Sequence, residues 1–416
     1  MNKLNVTAYT DVAEKNTKGE DIVSLRKNVC VLACTLAVLG LIWSASANAV
    51  PAFARKYDVN CNTCHRAYPE LNAAGREFKE LGYRFPAGSS FEEDVAQQIS
   101  DFLQLENHVP LSLILVSRPY DKKDSSQEKL RAIHEVEIIA AGVLGEQWSG
   151  YFELEAEDET GFELELAPAV LSWNYSKEFN LQAVWGPTFW ADPYGIVGDQ
   201  FRLTRGHVGA IDQSFGGADD GGRFRSTRQN VGAYGRVAAD RLFYNVNWSG
   251  LAEDAEGENA SSLSGMVAFD ITANMMIGAL VISGENEDEN RDFSRTGVQF
   301  QADLGDARLQ ALYIAGKDDR AAGDPRGPGE DDNTAFSLQA SYVFVNDSLR
   351  PTWVPLIRYD SYETNDGANT FDEMTLNLAY YITQNIKAYV EYWDRFDAPT
   401  PAQEDSRITL QFVAGF

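Results

Sequence analysis

The chain has 416 residues and a formal charge of −27 at pH 7, with 62 acidic residues against 35 basic ones. Such an excess of negative charge disfavours nucleic acid and anionic lipid surfaces as partners, and favours cations or basic proteins. A chain of this length has room for two domains.

The first patterned segment, residues 26–49, is typical of a secretory signal peptide. Two basic residues precede an apolar core from Val29 to Trp43, and Ala47-Asn48-Ala49 follows as a small-residue cleavage site. A retained membrane helix is the alternative, but the core is short for a span. We therefore expect residues 1–49 to be a signal peptide with an upstream extension at 1–25, and the mature chain to begin at Val50.

The next motif is Cys61-Asn62-Thr63-Cys64-His65. Its C-x-x-C-H spacing is the attachment signature of c-type haem, in which both thiols bond to the haem vinyl groups. The histidine that follows directly is expected to be the proximal iron ligand. A zinc site would need two further Cys or His ligands nearby, and a thioredoxin-like pair would need a βαβ context. The motif therefore predicts one covalent haem c and no other cofactor.

Residues 50–105 are interpreted as a small, α-helical, monohaem c-type cytochrome segment. A helix is expected to open at Pro69, with an apolar face made by Leu71, Ala74, Phe78 and Leu81 that packs on the haem edge. So short a segment would leave much of a haem exposed, so it should lean on the rest of the chain. Its basic side chains have two open interpretations, pairing with haem propionates or ordinary solvation: Arg55, Lys56, Arg66, Arg76 and Lys79.

The second axial ligand is constrained by composition. Between Met1 and Met266 the sequence contains no methionine, so methionine is not expected on the iron. His108 lies just past the cytochrome segment and is the preferred ligand. Water or another weak ligand, His134 and His207 remain as alternatives.

From residue 106 onward the hydrophobic period changes to two. In the last segment Ile408, Leu410 and Phe412 alternate with the polar Thr409 and Gln411. About 16 runs of this kind are expected as strands, near 109–117, 130–143, 147–157, 162–175, 179–189, 227–237, 241–250, 262–270, 274–283, 294–304, 306–316, 334–345, 352–362, 371–382, 385–395 and 405–416. The strands of a soluble β-sandwich would also alternate apolar and polar residues. The lengths of the connections between strands therefore have to distinguish a sandwich from a membrane barrel.

Long and short connections alternate along residues 106–416, apart from one short turn at 158–161. This alternation is typical of an outer-membrane barrel with short periplasmic turns and long extracellular loops. Beyond the signal no run of 18 apolar residues occurs. We therefore predict an all-β, porin-like outer-membrane barrel of about 16 antiparallel strands. Pro168 is expected to mark a bulge in the fourth strand, because the apolar face changes parity after it.

Acidic residues concentrate in the third predicted hairpin, near the long-loop rim. Five glutamates there are expected to point inward on grounds of strand parity: Glu153, Glu155, Glu157, Glu163 and Glu165. Like charges that face each other across a hairpin repel, and a hard divalent cation would relieve the repulsion. Hydrated lumen charge is the alternative. The long loops are also acidic, which is ordinary for solvated loops and would attract metal cations.

One c-type haem motif followed by a sixteen-strand barrel resembles the fused outer-membrane cytochrome–porin family of iron-oxidising bacteria. The resemblance rests on that architecture and on residues in five short stretches: Pro51–Arg55, Cys61–His65, Pro69–Leu71, Gly75–Lys79 and Gly82-Tyr83. It implies an Fe(II)-oxidising electron-transfer oxidoreductase that takes electrons from extracellular Fe(II) and passes them to a periplasmic c-type cytochrome or other carrier. It carries over Cys61, Cys64 and His65 only. A transport porin with a haem plug or redox gate, and an electron conduit for another donor, remain the alternatives.

Overall fold

The structure, a computed structural model, describes residues 52–91, 97–100, 103–105, 109–198, 201–215, 217–257, 262–399 and 404–416. The predicted signal peptide and His108 lie outside the described residues. Within them, no helix has both the length and the apolar character needed to cross a membrane.

The N-terminal segment, which carries the predicted haem motif, holds short elements. They are helix α1 (Ala52–Tyr57), a 3-10 turn (Cys61–Thr63), strands β1 (His65–Ala67) and β2 (Glu70–Leu71), helix α2 (Ala73–Glu80), and strands β3 (Gln97–Ser100) and β4 (Leu103–Leu105). Residues 52–91 are called the haem segment below.

The helix predicted to open at Pro69 begins instead at Ala73. The side chain of Asn72 accepts a hydrogen bond of 3.0 Å from the backbone N–H of Gly75, which satisfies one of the free donors at the helix start. Pro69 lies in the turn between β1 and β2, and Leu71 ends β2. The prediction was wrong because proline at a helix start and proline in a turn look alike in sequence, and Asn72 provides the better cap.

The remaining strands form a closed antiparallel barrel, which confirms the predicted fold class. Its sixteen described strands are β5 (Leu111–Lys123), β6 (Lys129–Val143), β7 (Trp148–Glu157), β8 (Leu164–Asn174), β9 (Asn180–Gly186), β10 (Arg228–Val237), β11 (Leu242–Ser249), β12 (Ser262–Thr272), β13 (Met275–Asn286), β14 (Arg291–Leu304), β15 (Ala307–Asp319), β16 (Glu330–Tyr342), β17 (Trp353–Thr364), β18 (Asn369–Tyr381), β19 (Ile386–Asp397) and β20 (Asp405–Gly415). Each strand pairs with its sequence neighbours, and β20 closes the ring on β5.

The barrel wall separates apolar from polar side chains by strand parity. On β11, Val246 and Trp248 are exposed on the outer face, whereas Asn245 and Asn247 are buried on the inner face. The predicted bulge is present, because Phe152 and Leu154 of β7 pair with Ala169 and Leu166 of β8, which leaves Pro168 and its neighbour opposite a single residue. An apolar outer face and a polar inner face are what a barrel surrounded by lipid requires.

The two ends of the barrel differ in the length of their connections. Connections such as 144–147, 238–241 and 382–385 are short, and they define the short-turn end. Connections such as 187–227 and 320–329 define the long-loop end.

The haem segment lies in the lumen at the short-turn end, where it contacts strands on several sides. The carboxylate of Glu80 in α2 accepts two hydrogen bonds of 2.7 Å from Arg236 of β10. Arg308 of β15 donates to the carbonyl of Leu71 at 3.0 Å. On another side, Tyr381 of β18 donates to the carbonyl of Tyr68 at 2.5 Å. These contacts come from separate parts of the wall, so the segment crosses the opening.

In the described parts of the loop at residues 187–227, the chain folds inward into the lumen. Its side chains Phe189, Ile211 and Phe215 are fully buried in an apolar cluster with inward residues of the wall. A short helix α3 (Gly209–Asp212) anchors the loop, since Gly209 N–H donates to Asp360 of β17 at 2.8 Å. The loop and the haem segment together occupy the lumen.

Candidate functional site

The imidazole of His65 is held by the turn that follows it. β1 and β2 form a small hairpin, and the carbonyl of Pro69 lies 2.9 Å from Nδ1 of His65. A neutral imidazole that donates Nδ1–H to a carbonyl keeps its Nε2 lone pair for a metal. The ring of Tyr68 packs edge-on against His65, with ring centroids 5.3 Å apart.

The loop that carries both cysteines is held against helix α2. Asn72 donates from its side-chain amide to the carbonyls of Asn62 and Thr63, at 3.1 Å each, and its backbone N–H donates to the carbonyl of Cys64 at 2.9 Å. Gly75 permits this close approach, because a Cβ atom there would come 2.1 Å from the carbonyl oxygen of Cys64. The two thiols are therefore presented on a fixed loop.

The residues fit a covalently held haem c. Cys61 and Cys64 are half-buried and are not joined by a disulfide. Burial raises the pKa of the Cys61 thiol and raises that of Cys64 to about 11, so neither is a reactive surface thiolate. Burial lowers the pKa of His65 to about 4, so the free ring is neutral at physiological pH, as an iron ligand has to be. The iron and its ring would be held by Cys61, Cys64 and His65.

Basic residues of the haem segment bind groups of the barrel and the inward loop. Arg66 donates to Glu70 at 3.1 Å and to the carbonyl of Asp306 at 2.7 Å. Lys79 donates to the carbonyls of Trp190 and Asp192, at 2.7 Å each. Neither side chain is freely solvated. Of the two interpretations given above for the basic residues, ordinary solvation is therefore excluded for Arg66 and Lys79.

Most of the predicted glutamates face the lumen. Glu153, Glu155 and Glu157 share the inner face of β7, and Glu165 of β8 pairs with Glu155. The inward orientation of Glu163 stays a prediction, because this residue precedes β8 and lies outside the strand pairing; its side chain is exposed, as that of Glu165 is. The turn ends in Gly161, whose positive φ of 72° redirects the chain before the strand begins, so strand parity does not apply at Glu163.

Sequence reasoning missed the other half of this acidic surface, on β6. Glu135 pairs with Glu157, and Glu137 pairs with Glu155. Glu135 and Glu137 are two residues apart, so they point to the same side of a strand that was predicted correctly. Pairing the predicted β6 and β7 as a hairpin would have placed both opposite the glutamates of β7. The inward carboxylates Glu135, Glu137, Glu153, Glu155, Glu157 and Glu165 are called the acidic ladder below.

The acidic ladder leads from the long-loop end toward the haem segment. Burial raises the pKa of Tyr68, and the nearby charges of Glu137 and Glu153 raise it further. Tyr68 is therefore within electrostatic range of the ladder while it contacts His65. The ladder thus runs from the long-loop end to within electrostatic range of the tyrosine that packs against His65.

The other candidate histidines lie away from the motif in sequence and hold contacts of their own. Nδ1 of His134, on β6, lies 2.8 Å from Oδ1 of Asp158 at the long-loop end. Nε2 of His207, in the inward loop, lies 2.8 Å from the guanidinium of Arg202. The prediction that His108 is the second axial ligand concerns a residue outside the described part of the chain.

The barrel is similar to a known family and to several solved structures. The sequence pattern of the Gram-negative porin family matches residues 145–395. An anion-selective porin from Comamonas acidovorans superposes with a TM-score of 0.54 at 12% identity, covering 74% of this chain and 98% of that one. Salmonella typhi OmpF, solved with daunomycin, gives 0.55 at 15% identity, with 74% and 98% covered. Outer-membrane OmpT of Vibrio cholerae gives 0.52 at 12%, with 78% and 99% covered. No curated protein sequence matches the chain. At these identities the structural likeness shows the fold alone.

Proposed function

Since the chain belongs to the Gram-negative porin family and is therefore an outer-membrane barrel, we propose that it is a cytochrome–porin that oxidises extracellular Fe(II). In this family of barrels short turns face the periplasm and long loops face outward. The haem segment would then lie at the periplasmic mouth, and the acidic ladder would open toward the outside.

The observation that carries the proposal is the setting of His65. Its Nδ1 is bound to the carbonyl of Pro69 at 2.9 Å, which leaves Nε2 for iron beside two cysteines at haem spacing. A zinc or disulfide role would not require this arrangement. When bound, a c-type haem supplies a one-electron acceptor that can pass the electron to a periplasmic carrier.

The ladder residues would draw Fe(II) toward this acceptor and orient it. Carboxylate oxygens suit a hard divalent cation, and they bind Fe(III) more tightly still. Such ligands stabilise the oxidised product and so make the loss of an electron easier. Because ferric iron precipitates at neutral pH, oxidation is best completed before iron reaches the periplasm. Fe(II) would therefore enter the lumen along the acidic ladder and stop short of the haem segment at the far mouth.

The first experiment tests the haem and the reaction together. Mass spectrometry of the purified chain should show one covalent haem, and anaerobic Fe(II) should reduce it, as seen by absorbance. A chain without haem, or a Cys61→Ala, Cys64→Ala double variant that keeps it covalently bound, would refute the cofactor assignment. A haem that forms but stays oxidised in excess Fe(II) would refute iron oxidation alone.

A second experiment tests the ladder. Glu153→Gln with Glu155→Gln keeps side-chain shape and removes two inward charges, so reduction by Fe(II) should slow at least tenfold. Glu163→Gln is the matched control, because that glutamate is exposed outside the strands. Reduction by a small uncharged reductant should be the same in all variants. Equal slowing with both reductants would indicate damage to the haem segment instead.

A porin whose haem segment acts as a plug or redox gate is the second candidate. It is favoured by the position of residues 52–91, which cross the short-turn mouth. Solute passage that changes with the redox state of the protein, in the absence of reduction by Fe(II), would support this candidate over iron oxidation.

A further inference from the structure

Beside the top of the acidic ladder, a histidine and several carboxylates come together at the long-loop end. Ligand atoms of His134, Glu135 and Glu157 all lie within 4.8 Å of one another, and so do those of His134, Asp158 and Glu159. His134 and Glu135 lie on β6, Glu157 ends β7, and the other two lie in the turn after it. The hairpin pairing of Glu135 with Glu157 brings these groups to one place.

His134 is oriented as a metal ligand is. Its side chain is only 1% exposed, and its Nδ1 lies 2.8 Å from the carboxylate of Asp158. Nη1 of Arg131 also lies 3.2 Å from Nδ1, and because a guanidinium only donates, a hydrogen bond from it and a proton on Nδ1 exclude each other. In the tautomer that Asp158 favours, the proton is on Nδ1 and the Nε2 lone pair faces Glu135, whose Oε2 is 3.9 Å away. This separation is too long for a hydrogen bond, and Nε2 makes none with any residue that the structure describes. A carboxylate–histidine pair aimed at further carboxylates is the usual outer support of a metal site.

The charges around His134 divide into two sets. Arg131 binds Glu159 at 2.5 Å and Asp158 at 3.5 Å, so these two acids already have a cation. The carboxylate of Glu157 instead faces those of Glu135 and Glu159. Glu135 also faces Glu137, and the guanidinium that the structure places in electrostatic range of it is that of Arg118. Like charges gathered inside a barrel mouth are unfavourable unless a cation joins them.

We propose that His134, Glu135 and Glu157 bind a divalent first-row transition-metal ion, with Asp158 as the positioning residue behind the histidine. One imidazole with two carboxylates suits Fe(II), Co(II) or Zn(II), whereas Mg(II) and Ca(II) prefer oxygen ligands alone. That the ion in use is Fe(II) rests on the proposed function; the site itself does not.

The position of the site gives it a role distinct from electron transfer. Glu157 lies four residues, about 13 Å, along β7 from Glu153, which is near Tyr68. The site is therefore a capture site at the outer rim, and the lower ladder carboxylates lead from it toward the haem segment. Three ligands leave open positions for water, so the ion can be released inward.

The test is binding of Co²⁺ to the full-length protein in detergent, measured by calorimetry under nitrogen. The wild type should bind one Co²⁺ at this site, and His134→Asn or Glu157→Gln should weaken it at least tenfold. Asp158→Asn should weaken it tenfold to a hundredfold, as expected for a positioning carboxylate. Glu163→Gln and His207→Asn serve as matched controls and should bind as the wild type does. Circular dichroism identifies any variant that has lost the barrel.

The outcomes separate the site from the proposed function. Absence of Co²⁺ binding in the wild type, or equal binding in the folded His134→Asn and Glu157→Gln variants, would overturn the site. Retained Co²⁺ binding in a protein whose haem Fe(II) does not reduce would uphold the site and refute the proposed function. Replacement of Co²⁺ by Mg²⁺ at similar concentration would also overturn the site, because histidine would then not be a ligand.

Discussion

At the residue scale, Asn72 has two functions, one carried by the oxygen of its side-chain amide and the other by the nitrogen. Its side-chain oxygen caps helix α2 by accepting from Gly75, and its side-chain nitrogen donates to the two carbonyls of the haem loop at Asn62 and Thr63. One side chain therefore fixes the start of the helix and the loop that carries the cysteines.

Asn72→Ala should lose both functions, and Asn72→Asp should lose only the donors. We expect the alanine variant to destabilise the haem segment by about 1–3 kcal/mol, from a lost cap and lost hydrogen bonds. The aspartate should fall between alanine and wild type, since a negative charge is favourable at a helix start. Denaturant titration monitored through haem absorbance measures this order. Identical midpoints for wild type and alanine would contradict it.

Individual residues were predictable from sequence where a motif or a strand parity defined them. Cys61, Cys64 and His65 followed from spacing, and the inward direction of Glu153, Glu155 and Glu157 followed from period two. Glu135 was missed because its charge becomes informative only when hairpin pairing places it opposite Glu157. The orientation of the His134 side chain could not be predicted either, because it depends on a contact with Asp158, which lies just after the next strand, β7.

At the element scale, the sixteen strands were found at their predicted places, but several continue further toward the long-loop end. β15 runs to Asp319 and β16 begins at Glu330, beyond the apolar pattern. In these extensions charged residues take the place of the apolar pattern. The guanidinium of Arg295, for example, donates hydrogen bonds of 2.7 and 2.9 Å to the carboxylate of Asp318. Alternation of apolar and polar residues occurs only where a strand faces lipid. The apolar pattern therefore ends before the strand does.

Helix α2 offers a test of how the haem segment is held. Glu80→Gln removes the charge that binds Arg236 through two hydrogen bonds in a buried pair. Because Arg236 keeps Asp270 at 2.6 Å, the change should cost about 1–3 kcal/mol, the value of hydrogen bonds to a charged group. We expect faster protease cleavage within 52–91 while the barrel stays folded.

Glu77→Gln is the matched control on the same helix. Glu77 binds Lys177 in a much more exposed pair, worth about 0–1 kcal/mol. Equal cleavage of the two variants would show that the buried pair does not hold the segment.

At the scale of the whole molecule, the inward loop makes this barrel different from an open pore. Asp360 binds the N–H of Gly209, and Ser337 accepts from the N–H of Ala210 at 2.9 Å, which fixes α3 against β16 and β17. The family and the strand count predict a barrel, but neither says whether its interior is filled. Filling of the interior depends on contacts between side chains of residues 187–227 and strands that are distant in sequence. A local sequence pattern cannot predict such contacts.

Asp360→Ala should loosen this loop and raise the ion conductance of the barrel in planar bilayers at least twofold. Asp372→Ala is the control, because this carboxylate accepts from Tyr359 on the opposite face of the same sheet. An unchanged conductance in Asp360→Ala would mean that the loop is held elsewhere or that the haem segment alone sets the conductance.

The closure of the barrel between its first and last strands has a consequence for biogenesis. The ring around the haem segment is complete only when β20 has paired with β5, and the segment then sits inside it. Under the proposed function, attachment of the haem before insertion is the order in which both thiols are fully accessible to the maturation enzymes, because Cys61 and Cys64 are half-buried once the ring has closed around the segment.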